Sequence, residues 1–294
     1  MISYTKSGFP YIGSEVFETT QKVKYLRTPG MAMIGRPEVD ISGLANFLEG
    51  FPEELGFLKY LDDSIKLSSA EELSKTAGQW CYLAFGPERT WNNNAEQYFE
   101  NIKLHKHGSI MEHANFTMAI WGVSRSFTHE IVRHRAGCGF SQVSQRYVGE
   151  ATLRFVERPE FVNNMALHTY FLDRIDACKN EYVWTTDYLL NKQKSGEEIL
   201  SAERKTDLKK KIQQCSRAIL PNETEAPIII TGNVRAWRNI IEQRVSEHAE
   251  IEIRRVVYNV FLCLQPFLPN ILSDYKTVKL ADGTPALASL HSKV

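Results

Sequence analysis

The chain has 294 residues, and its 35 lysines and arginines balance 35 aspartates and glutamates, so the formal net charge is zero. That length permits one large domain or two small ones around a sizeable core, and the balance leaves no global field favouring nucleic acid or a membrane, so any basic site must be local. Cys81, Cys138, Cys178, Cys215 and Cys263 are scattered without C-x-x-C spacing, no apolar run resembles a signal peptide, and no stretch approaches the roughly 20 apolar residues of a membrane span. These features predict a soluble, unprocessed protein of the reducing cytoplasm, with neither a disulfide framework nor a thiolate zinc site.

Residues 1–40 mix Gly, Pro and Thr with short apolar groups and read as an extended lead-in containing one strand, VKYLRT at 23–28. Apolar residues recur at three and four over 41–51 and again over 69–83, where a serine ahead of the glutamates in SSAEELSK supplies a helix-capping signal. Gly86-Pro87 breaks the pattern. It resumes over 92–104, with Trp91, Tyr98, Phe99 and Ile102 on the side to be buried. After a polar turn at 107–113, the β-branched and aromatic alternation of FTMAIWGVS predicts a strand over 115–123, followed by a helix over 124–132.

TLRFVERP is a short strand ended by proline, and 159–220 is helical up to Pro221, with NKQKSGEE at 191–198 as a solvated turn between antiparallel helices. IIITGN at 228–233 is a further strand. Residues 233–264 form the longest uninterrupted helical pattern. At about 100° per residue, Arg235 and Asn239 point one way while Arg244 and His248 point roughly the opposite way. That two-sidedness places the helix at an interface between subunits or layers. The tail after Pro266 is partly extended, with a turn at Ala281-Asp282-Gly283.

The densest chemistry lies at 128–147, THEIVRHRAGCGFSQVSQRY, where Arg133, His134, Arg135 and Arg146 stand among two glutamines and two serines without a lysine. Arginine keeps its charge and presents a rigid fork of donors suited to carboxylate, phosphate or a flat heteroaromatic edge, so the stretch predicts a polyanionic, ring-bearing ligand. His105, His107, His113, His129 and His134 do not make a metal site. After His129-Glu130 the i,i+4 position of an H-E-x-x-H helix is Arg133, and two adjacent arginines would repel the cation. Ser141, Ser144 and Cys138 lack a G-x-S-x-G elbow or another triad signature, and Cys138 between two glycines reads as a turn rather than an activated thiol. Nucleic-acid binding is disfavoured by the missing basic stripe. Arg217 alone reads as a solvent-facing helix residue, and Arg254-Arg255 as a surface or interface pair.

Three ordered segments, HGSIMEHANFTMAIWGVSRSFTHEIVRHR, SQVSQRYV and SRAILPNETEAPIIITGNVRAWRNIIEQRVSEHAEIEIRR, together resemble the flavin-dependent thymidylate synthases over roughly residues 70–285. The resemblance implies an α+β subunit, a mixture of helices and twisted β-sheet with a long helix at an oligomer interface. It also implies one catalytic domain over 1–294, with 1–65 as an extension packed on it, and a homotetramer with shared active sites. The implied cofactor is FAD, with NADPH and 5,10-methylenetetrahydrofolate as co-substrates, and the implied reaction is methylation of dUMP to dTMP. By the same resemblance His107, Ser109, Arg133, His134, Arg135, Asn233, Arg235 and Asn239 contact flavin. Glu130, Arg133, Gln142, Ser144, Arg146 and Arg217 contact the nucleotide, and Arg244 contacts the pyrimidine and promotes its ionisation at N3.

One departure stands out. The family has a serine two residues after RHR and a gap one residue shorter before S-x-x-S-x-R-Y, whereas this chain has Ala136-Gly137-Cys138-Gly139-Phe140. Two glycines can absorb the extra residue as a loop bulge by visiting positive φ. The altered loop keeps open a hydroxymethylating relative acting on dUMP or dCMP. A nucleotide- and flavin-binding regulator without turnover is the alternative from another class.

Overall fold

A computed structural model describes residues 1–147, 149–195, 205–292 and 294. In chain order the strands are β1 (Ser3–Tyr4), β2 (Pro10–Ile12), β3 (Val16–Glu18), β4 (Lys24–Leu26), β5 (Gly30–Gly35), β6 (Asn115–Trp121), β7 (Cys138–Gln142), β8 (Arg154–Val156), β9 (Ile228–Asn233), β10 (Tyr275–Lys279) and β11 (Pro285–Ser289). The helices are α1 (Ala45–Glu49), α2 (Ser69–Cys81), α3 (Ala95–Leu104), α4 (Arg125–Ile131), α5 (Pro159–Val162), α6 (Met165–Lys194), α7 (Lys205–Ser216), α8 (Val234–Arg244) and α9 (Ile251–Leu264). This is the expected α+β mixture, and no helix among the described residues is long and apolar enough to cross a membrane.

The main sheet is antiparallel throughout, in the order β1-β2-β5-β6-β9-β7. Period-two alternation buries Phe116, Met118 and Ile120 of β6, and the register sets Met118 opposite Ile230 and Ile120 opposite Ile228. Met31 and Met33 of β5 continue that face. Against it pack Phe99 of α3, Trp237, Ile240 and Ile241 of α8, and Val256, Val257 and Val260 of α9. Full burial of each such side chain contributes about 1.5–3 kcal/mol, which makes this layer the principal core. A smaller sheet, β3-β4-β8 with β4 and β8 parallel, covers α6 through Tyr25, Phe155, Phe171 and Ile175.

The expected helices over 69–83, 92–104 and 124–132 are α2, α3 and α4, and side-chain caps start two of them. The Ser68 hydroxyl accepts from the Glu71 amide and the Ser124 hydroxyl from the Phe127 amide. Four readings need correction. The lead-in holds β1 to β5 rather than one strand, because its segments are short and their pairing is remote: Gly30 of β5 lies opposite Trp121 of β6. Residues 136–140 do not form a bulging loop, since Cys138 already pairs with Gly232 as β7 begins. Only Gly137 has positive φ, at 70°.

The pattern over 233–264 is two helices. The chain leaves α8 at Val245, whose carbonyl accepts from the Leu287 amide, and α9 restarts when the Glu250 carboxylate caps the Ile253 amide. His248 therefore lies in the connection, and the pairing of Arg244 with His248 on one helical face does not hold. Arg254 is buried, bonded to Asp282 and to the Glu247 carbonyl, rather than a surface residue. Of the turn expected at 191–198, residues 191–194 are still helical and 196–198 lie outside the described residues.

Candidate active site

The site is built where β7 and β9 run side by side and the chain enters α8. The Asn233 side chain caps α8 by accepting from the Ala236 amide at 2.8 Å, and the Asn233 amide donates to the Gly137 carbonyl at 3.0 Å. A Cβ on Gly137 would lie 2.6 Å from Asn233 Nδ2, so steric room and positive φ both call for glycine. The turn carrying Arg133, His134 and Arg135 is thereby fixed against the start of α8.

Arg244, the last residue of α8, reaches back to that turn. Its Nη1 donates to Glu130 Oε2 at 2.9 Å and its Nε donates to His134 Nε2 at 2.9 Å. Burial, and then the charges of Arg244 and Arg133, hold the His134 pKa below its ordinary value, so the ring is neutral and accepts through Nε2. Nη2 has only a 3.5 Å contact to the Glu130 carbonyl, a weak bond that leaves it able to donate to a ligand.

A second group gathers at the other end of α8. His107, Ser109 and Arg235 line a cavity of about 390 Å³ together with Tyr82 and Tyr98. Arg235 Nη1 is paired with Glu112 at 2.5 Å, and Asn239, one turn on, accepts from Gln243 at 2.8 Å. A third group lies on β7 and beyond. Gln142 pairs with Ile228 in the sheet while its Nε2 is buried without a partner. The Ser144 hydroxyl accepts from the Arg146 amide at 3.4 Å, and Arg146 lies 5.7 Å from the Tyr147 ring. Arg217 stands in a 3-10 turn (Arg217–Ile219) after α7.

The structure thus joins Glu130, His134 and Arg244 directly, and His107, Ser109 and Arg235 around one cavity. Among the described residues no hydrogen bond or ion pair links Arg146 or Arg217 to the Arg244 group. Nor do Arg133, Arg135, Arg146 or Arg217 pair with a described carboxylate. The Cys138 thiol is pushed up to about 11 by burial, so it stays protonated at neutral pH and is unsuited to nucleophilic work. The donor set suits a flavin nucleotide. Unpaired guanidiniums match phosphates, a side-chain-free glycine turn permits close approach, and exposed Arg235 and Asn239 present hydrogen-bonding groups for ring edges.

Arg125, the first residue of α4, meets His129 Nε2 at 3.2 Å and no described carboxylate.

Residues 65–270 match the family described as Thymidylate synthase complementing protein. The chain is 40% identical over 222 residues to the flavin-dependent thymidylate synthase of Corynebacterium efficiens, covering 75% of this chain and 85% of the relative. It is 36% identical over 217 residues to that of Mycolicibacterium gilvum, covering 74% and 84%, and 35% identical over 217 residues to that of Mycobacterium leprae, again covering 74% and 84%. The matched residues 65–270 include those that build the Arg244 group and the cavity beside Arg235, and the chain belongs to the flavin-dependent thymidylate synthase family.

Proposed function

We propose that this chain converts dUMP to dTMP by reductive methylation, with FAD as cofactor and 5,10-methylenetetrahydrofolate and NADPH as co-substrates. The observation that carries the reading is Arg244, held between the Glu130 carboxylate and a neutral His134 with one guanidinium nitrogen left to donate. C5 of a uracil is a weak nucleophile. A fixed guanidinium beside N3 and O2 stabilises the anionic ring and so makes C5 electron-rich without an enzyme nucleophile. Glu130 and His134 hold the fork in place before the pyrimidine arrives, which removes a reorganisation cost from the step. When bound, FAD supplies the redox chemistry, with two electrons restored by NADPH turning the transferred methylene into a methyl group.

In this reading His107, Ser109, Arg133, His134, Arg135, Asn233, Arg235 and Asn239 hold the flavin. Glu130, Arg133, Gln142, Ser144, Arg146 and Arg217 hold the nucleotide, the last two through its phosphate. Among the described residues of one chain Arg146 and Arg217 share no bond with the Arg244 group, which supports a homotetramer whose sites draw on several chains. The outer sheet face supports it too, because Ala32, Ala119 and Ile229 align there and Ile229 is 40% exposed. Residues 1–294 form one catalytic unit, supported by the place of β5 inside the main sheet beside β6, and the enzyme works in the cytoplasm without nucleic-acid or membrane partners.

The test is to supply the purified, flavin-loaded protein with dUMP, methylenetetrahydrofolate and NADPH and to weigh the product by mass spectrometry. A product heavier by a methylene unit, with NADPH consumed, supports the reading. A hydroxymethylated product formed without net reduction sinks it in favour of the hydroxymethylating alternative, and bound flavin without turnover favours the regulator.

A further inference from the structure

The loop that leaves β7 divides its side chains between two places. Ser144 and Arg146, read above as nucleotide contacts, line neither of two cavities that lie against the loop. Val143 and Gln145 line one of them, of about 570 Å³, and Tyr147 lines the other, of about 560 Å³. Both cavities are bounded by Gly149, Ala151, Thr152 and Tyr182, so they form one continuous cleft. Its outer walls are the small sheet at Leu153 and Arg154 and the lysines of α7, and it shares no lining residue with the cavity beside Arg235.

The two ends of the cleft differ in chemistry. One end is apolar, with Val143, Leu153, Leu220 and Pro227, and there the Gln145 amide nitrogen is buried without a partner among the described residues. Its polar neighbours are engaged elsewhere: the Thr224 hydroxyl donates to the Pro221 carbonyl at 2.7 Å, and Glu225 accepts from Arg154 and from the Gly122 amide. A buried donor without an acceptor is destabilising, and a ligand carbonyl removes that cost. The other end is cationic. Lys209 and Lys210 line it against one acidic lining residue, Asp187. Lys210 pairs with Asp207 at 3.4 Å, but both side chains are well exposed, so the pair is weak and a ligand carboxylate can replace it. Exposed Tyr147 connects this end to the nucleotide contacts, because its ring lies 5.3 Å from Lys210 Nζ and 5.7 Å from the Arg146 guanidinium.

We infer that this cleft binds the aminobenzoyl-glutamate end of methylenetetrahydrofolate, with the benzoyl carbonyl accepting from Gln145 and the glutamate carboxylates held by Lys209 and Lys210. An uncharged ring bearing a carbonyl and followed by carboxylates has the same order of chemistry as the cleft, from its apolar end to its cationic end. The inference rests on the reading of the folate as co-substrate given above. The pterin end of that molecule meets flavin and pyrimidine, and its tail then runs past the loop that carries Ser144 and Arg146. The phosphates of NADPH also suit lysines, but they do not suit the apolar end, and the test separates the two.

The experiment uses flavin-loaded full-length enzyme carrying Lys209→Ala together with Lys210→Ala and, separately, Gln145→Leu, with circular dichroism to check each fold. The lysine variant is expected to raise KM for methylenetetrahydrofolate about threefold to twentyfold, while kcat and KM for dUMP change less than about twofold. That effect is expected to grow with the triglutamate form of the co-substrate. It is expected to vanish with the bis-amide of its glutamate, which keeps the shape and loses both charges. Gln145→Leu removes a neutral donor, so KM is expected to rise about threefold to tenfold for the acid and the bis-amide alike. Calorimetric titration with p-aminobenzoyl-glutamate alone needs no turnover, and its binding is expected to weaken in both variants. Unchanged folate KM and unchanged fragment binding in folded variants, with the parent enzyme making dTMP, overturn the assignment of the cleft and leave the functional reading intact. A parent enzyme that makes no dTMP overturns the functional reading and this inference with it. A raised KM for NADPH with folate KM intact overturns the choice of ligand.

Discussion

Arg238 and Arg244 stand on the same helix and meet opposite fates. Arg238 is 2% exposed, its two Nη groups hold Asp274 at 2.8 and 3.0 Å and also reach the Ile271 and His291 carbonyls. Asp274 in turn accepts from Ser289 and lies 3.6 Å from buried Lys103. Around Arg244 the side chains are open to solvent, with 21% and 38% exposure for Arg244 and Glu130, and one nitrogen is scarcely engaged. The first arginine closes a structure by fastening the carboxyl-terminal segment to the core. The second ends in unused donors. A charge neutralised by a buried carboxylate marks architecture, and a charge left open marks a ligand.

The contrast is tested most severely by Arg238→Ala. Removing one partner of a buried, hydrogen-bonded pair leaves Asp274 uncompensated and is expected to cost about 3–5 kcal/mol, read from the midpoint of urea unfolding. Arg244→Ala is expected to lower kcat about 10²- to 10³-fold in steady-state assays while the flavin absorbance and the unfolding midpoint persist. Simultaneous loss of flavin would show that Arg244 serves the cofactor rather than the pyrimidine. Arg135→Ala removes an exposed arginine with no described acidic partner, so stability is expected to stay within about 0.5 kcal/mol while flavin binds more weakly, by fluorescence titration.

Acid gives a smaller and graded effect. The His134 pKa lies below its ordinary 6.5, so the unfolded chain takes up that proton at a higher pH than the folded one. Its contribution to stability is complete above about 6.5 and is lost as pH falls through the lower folded value. Unfolding midpoints followed from about pH 7 to about pH 5.5 are expected to decline, and to decline less steeply in His134→Asn. The least change is expected from Cys138→Ala, whose parent thiol is protonated at neutral pH. A folded but inactive variant would restore a covalent role to that sulfur.

Much of the central fold was legible because its signals are local. β6 and β9 announce themselves by β-branched and aromatic runs, and Ser68 and Ser124 mark helix starts that the structure confirms. The missed elements depend on distant partners. β5 is stabilised by β6, and β7, whose sequence CGFSQ has no β-branched residue, is a strand because Ile228–Asn233 offers it a ladder. The break between α8 and α9 was hidden because apolar spacing runs through it, although Ser246 and Glu250 carried a turn and a cap. In the site, the arginine-rich turn was visible as chemistry from the residues alone. The bonds from Arg244 to Glu130 and His134 span more than a hundred residues, and no periodicity reveals such a pairing.

The helix that carries Arg235 near one end and Arg244 at the other behaves as a caliper. At about 1.5 Å rise per residue the two Cα atoms stand about 14 Å apart along its axis, and anchorage through Arg238 and Trp237 keeps that span from adjusting. Length changes are therefore tolerated unequally around the site. An added residue between Arg135 and Gln142 can be taken up at the start of an edge strand, whereas one added within α8 would advance a jaw by about 1.5 Å and swing it by about 100°. Sequence drift in this lineage is expected to gather in the turn and to spare the length of the helix.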